Sequence, residues 1–178
     1  GSQSGVIAGM DYVVLSGNRP AVASMSIGGP KSAAQDTAVT KMNEAGIPVI
    51  VASGNSNADA CSVSPSGAPD AYTVAASDLG DNRLSTSNYG LCVDIFAPGA
   101  SITSAWIPTN TSSATLSGSS MATPHVAGAA AIIFGLHPSY TADEVKQTIT
   151  NETTVDVIID PSGTPNRLLY IEPMQIKN

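Results

Sequence analysis

The chain has 178 residues, of which 42% are hydrophobic, 12% charged and only 4% aromatic, and it carries a net charge of −7. This length and balance suit one domain, or part of one, with a core close-packed from small residues. The acidic charge leaves no basic patch to neutralise phosphates, which argues against a nucleic-acid partner, and no apolar run free of helix-punctuating residues reaches a membrane-spanning length.

Val6, Ile7, Met10, Val13 and Val14 recur at helical spacing, so the chain should enter through a helix over residues 4–16, stopped by Gly17-Asn18. Residues 21–27 are small and β-branched and read as a buried strand ended by Gly28-Gly29-Pro30. Helical spacing returns over 32–44 through Ala34, Ala38, Val39 and Met42, with Gly46 as its stop. Residues 47–52 then read as a second buried strand. Strand, helix and strand in that order make a βαβ unit, hence an α/β fold with a parallel sheet and chemistry gathered at the carboxyl ends of the strands. Residues 56–69 are polar and turn-rich, and 71–76 and 93–97 supply two more strand-like runs. Residues 102–106 and 113–116 look like strands joined by a turn at 108–110. An almost wholly apolar stretch over 122–136 is long enough for a buried helix, broken at Pro138. Thr141 and Glu144 have capping-box spacing for one more helix, with Val145 and Ile149 on its apolar side. Residues 155–171 read as short strands around Pro161-Ser162-Gly163.

Ser120 falls where strand-like sequence gives way to the apolar helix. The first N–H groups of a helix lack intrahelical partners and carry partial positive charge, so they favour an anion forming beside them. An acyl-transfer serine needs that setting, although a serine here also suits an ordinary helix cap. Asn55 closes the run Ala52-Ser53-Gly54-Asn55 at the end of the second strand. Its amide could complement the Ser120 N–H around an oxyanion; the other reading is a plain turn asparagine. Glycines at both strand ends would let an extended peptide approach backbone to backbone.

Residues 117–128 read Ser-Gly-Ser-Ser-Met-Ala-Thr-Pro-His-Val-Ala-Gly and resemble the serine signature of the subtilisin-like peptidases, with Ser119 where that family usually has Thr. Ser85-Thr86-Ser87-Asn88-Tyr89-Gly90 and Asp94-Ile95-Phe96-Ala97-Pro98-Gly99 resemble two further landmarks of the family. The resemblance covers nearly the whole chain and is nearest to the proteinase K branch. It implies a subtilisin-like, mostly parallel twisted sheet with helices on both faces. It also implies a serine endopeptidase that needs no cofactor for its chemistry, acting through an acyl-enzyme on Ser120 with Asn55 in the oxyanion hole. Ser26, Ile27 and Gly28 would form one wall of the primary specificity pocket, and Ala52, Ser53 and Gly54 the other, around an apolar interior. The flanks of Cys61 and Cys92 resemble a disulfide pair of secreted members of that branch. A structural calcium would rest on the carbonyls of Pro69 and Ala71 and the carboxylate of Asp94; the alternative for Asp94 is a brace or cap within its loop. Asn110-Thr111-Ser112 and Asn151-Glu152-Thr153 have the N-glycosylation acceptor pattern, which matters for a secreted eukaryotic chain.

A serine needs a base, and the base an orienting acid. His125 lies five residues after Ser120 on the same expected helix, roughly 140° around it at helical pitch, and His137 stands at the helix end. Neither is expected to be the base, and Asp11 and Asp36 are not expected to be the acid. In the family both partners precede the serine, acid first. Residues 1–178 are therefore expected to form the C-terminal portion of one catalytic domain, partnered by an N-terminal segment of that domain carrying Asp and His, and by a protein or peptide substrate. The rival is a non-catalytic module, or pseudopeptidase, that holds extended peptides in the same groove; it would not require Ser120 and Asn55 together. An α/β-hydrolase is disfavoured, since its elbow would need Gly at Ala122.

Overall fold

The computed structural model describes residues 1–172, so residues 173–178 of the expected unit lie outside the described residues. In chain order the elements are α1 (Gln3–Ser16), β1 (Ala23–Met25), β2 (Gly29–Pro30), α2 (Ala33–Glu44), β3 (Val49–Ala52), β4 (Val63–Ser64), β5 (Ala71–Ser77) and β6 (Ile95–Pro98). There follow β7 (Ile102–Ala105), β8 (Ser113–Leu116), α3 (Ser119–Leu136), α4 (Ala142–Asn151), β9 (Thr154–Val155) and β10 (Arg167–Leu168). Six strands form one sheet in the order β1-β3-β5-β6-β10-β9, parallel throughout except for the antiparallel β9.

Successive side chains of a strand face opposite ways, and here both faces are buried. Ile50, Tyr72, Val74, Ala76, Ile95 and Ala97 point to one side, where Ala122, Val126, Ala130 and Ile133 of α3 and Val145 and Ile149 of α4 pack on them. Val49 and Val51 point to the other, against Met10 of α1 and Ala38, Val39 and Met42 of α2. The expected α/β fold with helices on both faces is thus the one observed. α3 is long and apolar enough by length and composition to cross a membrane, but half of it is buried in this core.

The observed elements depart from the expected ones where pairing overrides local preference. The strand expected over 21–27 is confined to Ala23–Met25, because its partner β3 starts only after Pro48 and register ends at Met25 opposite Val51. Gly29–Pro30, read as a strand terminator, becomes a two-residue strand antiparallel to Val63–Ser64, inside the segment read as turns. α3 begins at Ser119 rather than 122, which brings Ser120 into its first turn.

Candidate active site

The start of α3 is shaped by Gly118. Its φ of +145° suits glycine, and a Cβ there would sit 3.1 Å from Asn55 Oδ1. Gly118 provides no side-chain cap for the helix. Asn55 supplies one from a distance: its Oδ1 accepts hydrogen bonds from Ser119 N (2.8 Å) and Ser119 Oγ (3.1 Å), and Ser119 Oγ in turn accepts from Gly54 N (3.1 Å). Ser119 is fully buried, so this three-bond link is shielded from water. Because the amide is planar, fixing its oxygen aims Nδ2 the other way, and among the described residues Nδ2 has no acceptor. Ser120 N–H belongs to the same first turn. The half-buried Ser120 thus begins a helix whose preceding residue is held by Asn55 from the exit of β3.

Gly28, Ala52, Ser53 and Gly54 meet around a cavity of about 330 Å³ beside Asn55. Gly29, Ser56, Val63, Ser66 and Asn88 complete its lining, so the cavity expected to be mostly apolar is mixed. Ser26 and Ile27 do not line it. Ile27, 39% exposed, faces a neighbouring cavity of about 410 Å³ with Val6 and Gly29, and the Ser26 hydroxyl donates to the Ser120 carbonyl at 2.8 Å. Both differences arise because β1 stops at Met25, so the chain at Ser26 is free to turn toward α3.

The β3 exit is held by a residue that sequence reasoning quoted only as part of a landmark. Asn88, 3% exposed, accepts from Ser56 N (2.9 Å) and Ala58 N (3.1 Å) and donates to Ser53 O (2.9 Å), while its own N–H donates to Gly54 O (2.9 Å). Gly54 must be glycine, since its φ is +103° and a Cβ would lie 2.5 Å from Asn88 Nδ2. The signal for this role was an asparagine inside a serine-rich turn that the fold buries. Ser119 was likewise noticed only as a departure from Thr, although the residue preceding a helix-borne nucleophile is well placed to reach the opposing strand end.

Both histidines make contacts within their own stretch of chain. His125 Nδ1 lies 2.9 Å from the Met121 carbonyl one turn earlier, and His137 stacks on Tyr140 with ring centroids 4.4 Å apart. Ser120 and His125 do border one cavity of about 350 Å³, together with Ile102, Thr103 and Ser104 of β7. Asp36 is committed to Lys31 (3.0 Å) and Ser64 Oγ (2.7 Å), and Asp11 is exposed on α1.

Pro69, Ala71 and Asp94 line a further cavity of about 480 Å³. Burial pushes the Asp94 carboxyl up to about 6, opposed by the Thr73 N–H that its Oδ2 accepts at 2.7 Å and, more weakly, by the Lys146 and Arg167 charges. Lys146 is itself engaged with Asp143 (2.8 Å) and the Asp70 carbonyl (3.2 Å). Asp94 thus braces β5 through Oδ2, and among the described residues its Oδ1 has no hydrogen-bond partner. Cys61 and Cys92 are joined in a disulfide.

Set beside known proteins, the chain is 48% identical over 171 residues to the extracellular serine proteinase of Thermus sp. (strain Rt41A), covering 96% of this chain and 42% of that protein. It is 45% identical over 170 residues to the alkaline serine exoprotease A of Vibrio alginolyticus, covering 96% of this chain and 32% of that protein. The crystal structure of a cold adapted subtilisin-like serine proteinase superposes with a TM-score of 0.92 at 44% identity, over 96% of this chain and 62% of that one. The chain thus spans less than half the length of either curated relative. The Subtilase family model matches residues 1–169. A match of that extent leaves no strand or helix of the described fold outside it, and the chain accordingly belongs to the subtilase family.

Proposed function

We propose that this chain is the nucleophile-bearing portion, residues 1–178, of the catalytic domain of a subtilisin-like serine endopeptidase. The observation that carries the reading is the link from Ser119 to Asn55, which ties the residue before Ser120, at the start of a helix, to the asparagine whose amide would complete an oxyanion hole. Ser120 Oγ attacks the scissile carbonyl while a histidine accepts its proton, and the carbonyl oxygen becomes an oxyanion held by Asn55 Nδ2 and Ser120 N–H. Collapse expels the amine, which takes the proton from the histidine, and water releases the acyl group by the same steps in reverse order. The histidine and its aspartate come from another segment of the same domain. Room for it exists on one side of Ser120: the exposed face of α3 at Pro124, His125, Gly128 and Gly135, beside the edge strand β1.

The substrate is an extended protein or peptide chain. It lies along residues 26–28 and places one side chain between Gly28 and the wall of Ala52, Ser53 and Gly54, where small walls and a mixed lining suit a modest side chain. The protein is secreted, in keeping with its disulfide and with a relative named as extracellular. Calcium fits at Asp94, whose carboxylate, desolvated by burial, lines one cavity with Pro69 and Ala71, residues that can offer carbonyl oxygens as further hard donors. Its role there is structural, fixing the loop before β5.

The test is labelling by a fluorophosphonate probe, mapped by mass spectrometry, on the catalytic domain that joins this chain to its Asp and His segment. Labelling should fall on Ser120 alone and vanish in Ser120→Ala. Asn55→Ala should keep the fold and lower kcat by the amount known for the oxyanion asparagine of subtilisin itself, on the order of 10²–10³. Peptide hydrolysis by Ser120→Ala at the unsubstituted rate would refute the proposal.

A further inference from the structure

Pro124 lies inside α3, four residues after Ser120. In an α-helix the carbonyl of residue i accepts from the N–H of residue i+4, and proline has none. The Ser120 carbonyl is therefore deprived of its helical donor by the sequence itself. The structure fills the gap from 94 residues away: Ser26 Oγ donates to Ser120 O at 2.8 Å. The neighbouring carbonyl of Ser119 receives a side-chain donor too, from Thr123 Oγ1 at 2.8 Å, but that bond stays within the helix. Only the bond to Ser120 crosses to the segment where β1 leaves the sheet.

We infer that Ser26 is a positioning residue for the nucleophile, its hydroxyl standing in for the helical N–H that Pro124 lacks. The inference rests on the peptidase reading above. Ser120 Cα lies between two peptide planes. The residue before it, Ser119, is tied by its N–H and hydroxyl to Asn55 beyond the end of β3, and the peptide that follows Ser120 Cα is tied through Ser26 to the segment after β1. Because Oγ hangs from that Cα, the two ties together set the direction from which the hydroxyl attacks. Ser26 is exposed, so water can solvate the Ser120 carbonyl in its absence. Water supplies a hydrogen bond without a fixed direction. Loss of Ser26 should consequently spare stability and substrate affinity and appear in the chemical step.

The experiment is a double-mutant cycle in the catalytic domain that includes the Asp and His segment. It comprises Ser26→Ala, Pro124→Ala and the pair, with Ser26→Thr as the conservative variant. Ser26→Ala should lower kcat roughly 3- to 10-fold with KM and Tm unchanged. Ser26→Thr should keep kcat. Pro124→Ala restores a backbone donor to Ser120 O, so in that background Ser26→Ala should cost nothing further. As a readout independent of turnover, the carbonyl carbon NMR resonance of Ser120 should move in Ser26→Ala and move less in the double variant. An unmoved resonance, the same loss of kcat in both backgrounds, or a loss confined to KM would overturn the inference. If the domain is active and Ser26→Ala matches it, the inference alone fails; if the domain is no more active than Ser120→Ala, the peptidase reading fails and takes the inference with it.

Discussion

Asn88 satisfies two backbone donors and one backbone acceptor with a single buried carboxamide, and so fixes the chain from Ser53 to Ala58 without a strand partner. Asn88→Ala would leave those three groups unpaired in a site water barely reaches. Each unpaired buried group costs about 1–3 kcal/mol, so a total of about 3–5 kcal/mol is expected, read as a fall in Tm or in the denaturant midpoint. An unchanged midpoint would show that the loop holds itself. At this scale the sequence was legible in placing Ser120 at the start of the apolar helix and Asn55 at the exit of β3. It was silent about Asn88 and Ser119, because an amide or hydroxyl that braces a backbone looks the same in sequence as one facing water. Ser26 and Ile27 lie off the cavity that Gly28 lines with Ala52, Ser53 and Gly54, since their directions depend on where β1 stops.

Among the elements, α4 shows most directly how local sequence writes its own boundary. Thr141 Oγ1 accepts from Glu144 N (3.2 Å) while Glu144 Oε2 accepts from Thr141 N (2.7 Å). Thr141→Ala should cost about 1 kcal/mol, measured by thermal unfolding. The Thr141 backbone N–H, and then its hydroxyl, hold the Glu144 carboxyl below its ordinary value of 4.5. A carboxylate whose pKa is depressed by folding contributes stability that is present above its unfolded pKa and lost as pH falls through the folded one. The Tm difference between the unsubstituted chain and Glu144→Ala should therefore be widest at neutral pH and close on acidification below that value; a difference constant with pH would exclude the charged form as the source. Helices were legible because period and caps are local. The pairing of β2 with β4 was not, since two residues on each side carry no pattern and the partner lies in a turn-rich segment.

For the molecule as a whole, one fastening off the main sheet contacts is covalent, and the calcium proposed above would be a second. The Cys61 to Cys92 disulfide spans a sequence separation of 31, for which chain entropy predicts about 3.5 kcal/mol, so the double Cys→Ser variant should unfold at a correspondingly lower denaturant concentration. Calcium at Asp94 should raise Tm, by about 2.7 kcal/mol in stability at a hundredfold excess over Kd, and Asp94→Asn should abolish the response to added calcium or chelator. The sheet order itself was not readable from sequence. Its βαβ unit was, because β1, α2 and β3 each show their own period before any pairing is known.

The ties that make the site join residues far apart along the chain: 94 positions from Ser26 to Ser120, 64 from Asn55 to Ser119 and 35 from Ser53 to Asn88. Contacts of such span form late in folding, after the loops between them have closed. A half-folded chain emerging from synthesis thus carries the serine with neither its oxyanion donor nor its direction of attack. On the proposed activity, the order of folding is itself a safeguard, since the producing cell meets a proteolytic centre only once the chain is complete.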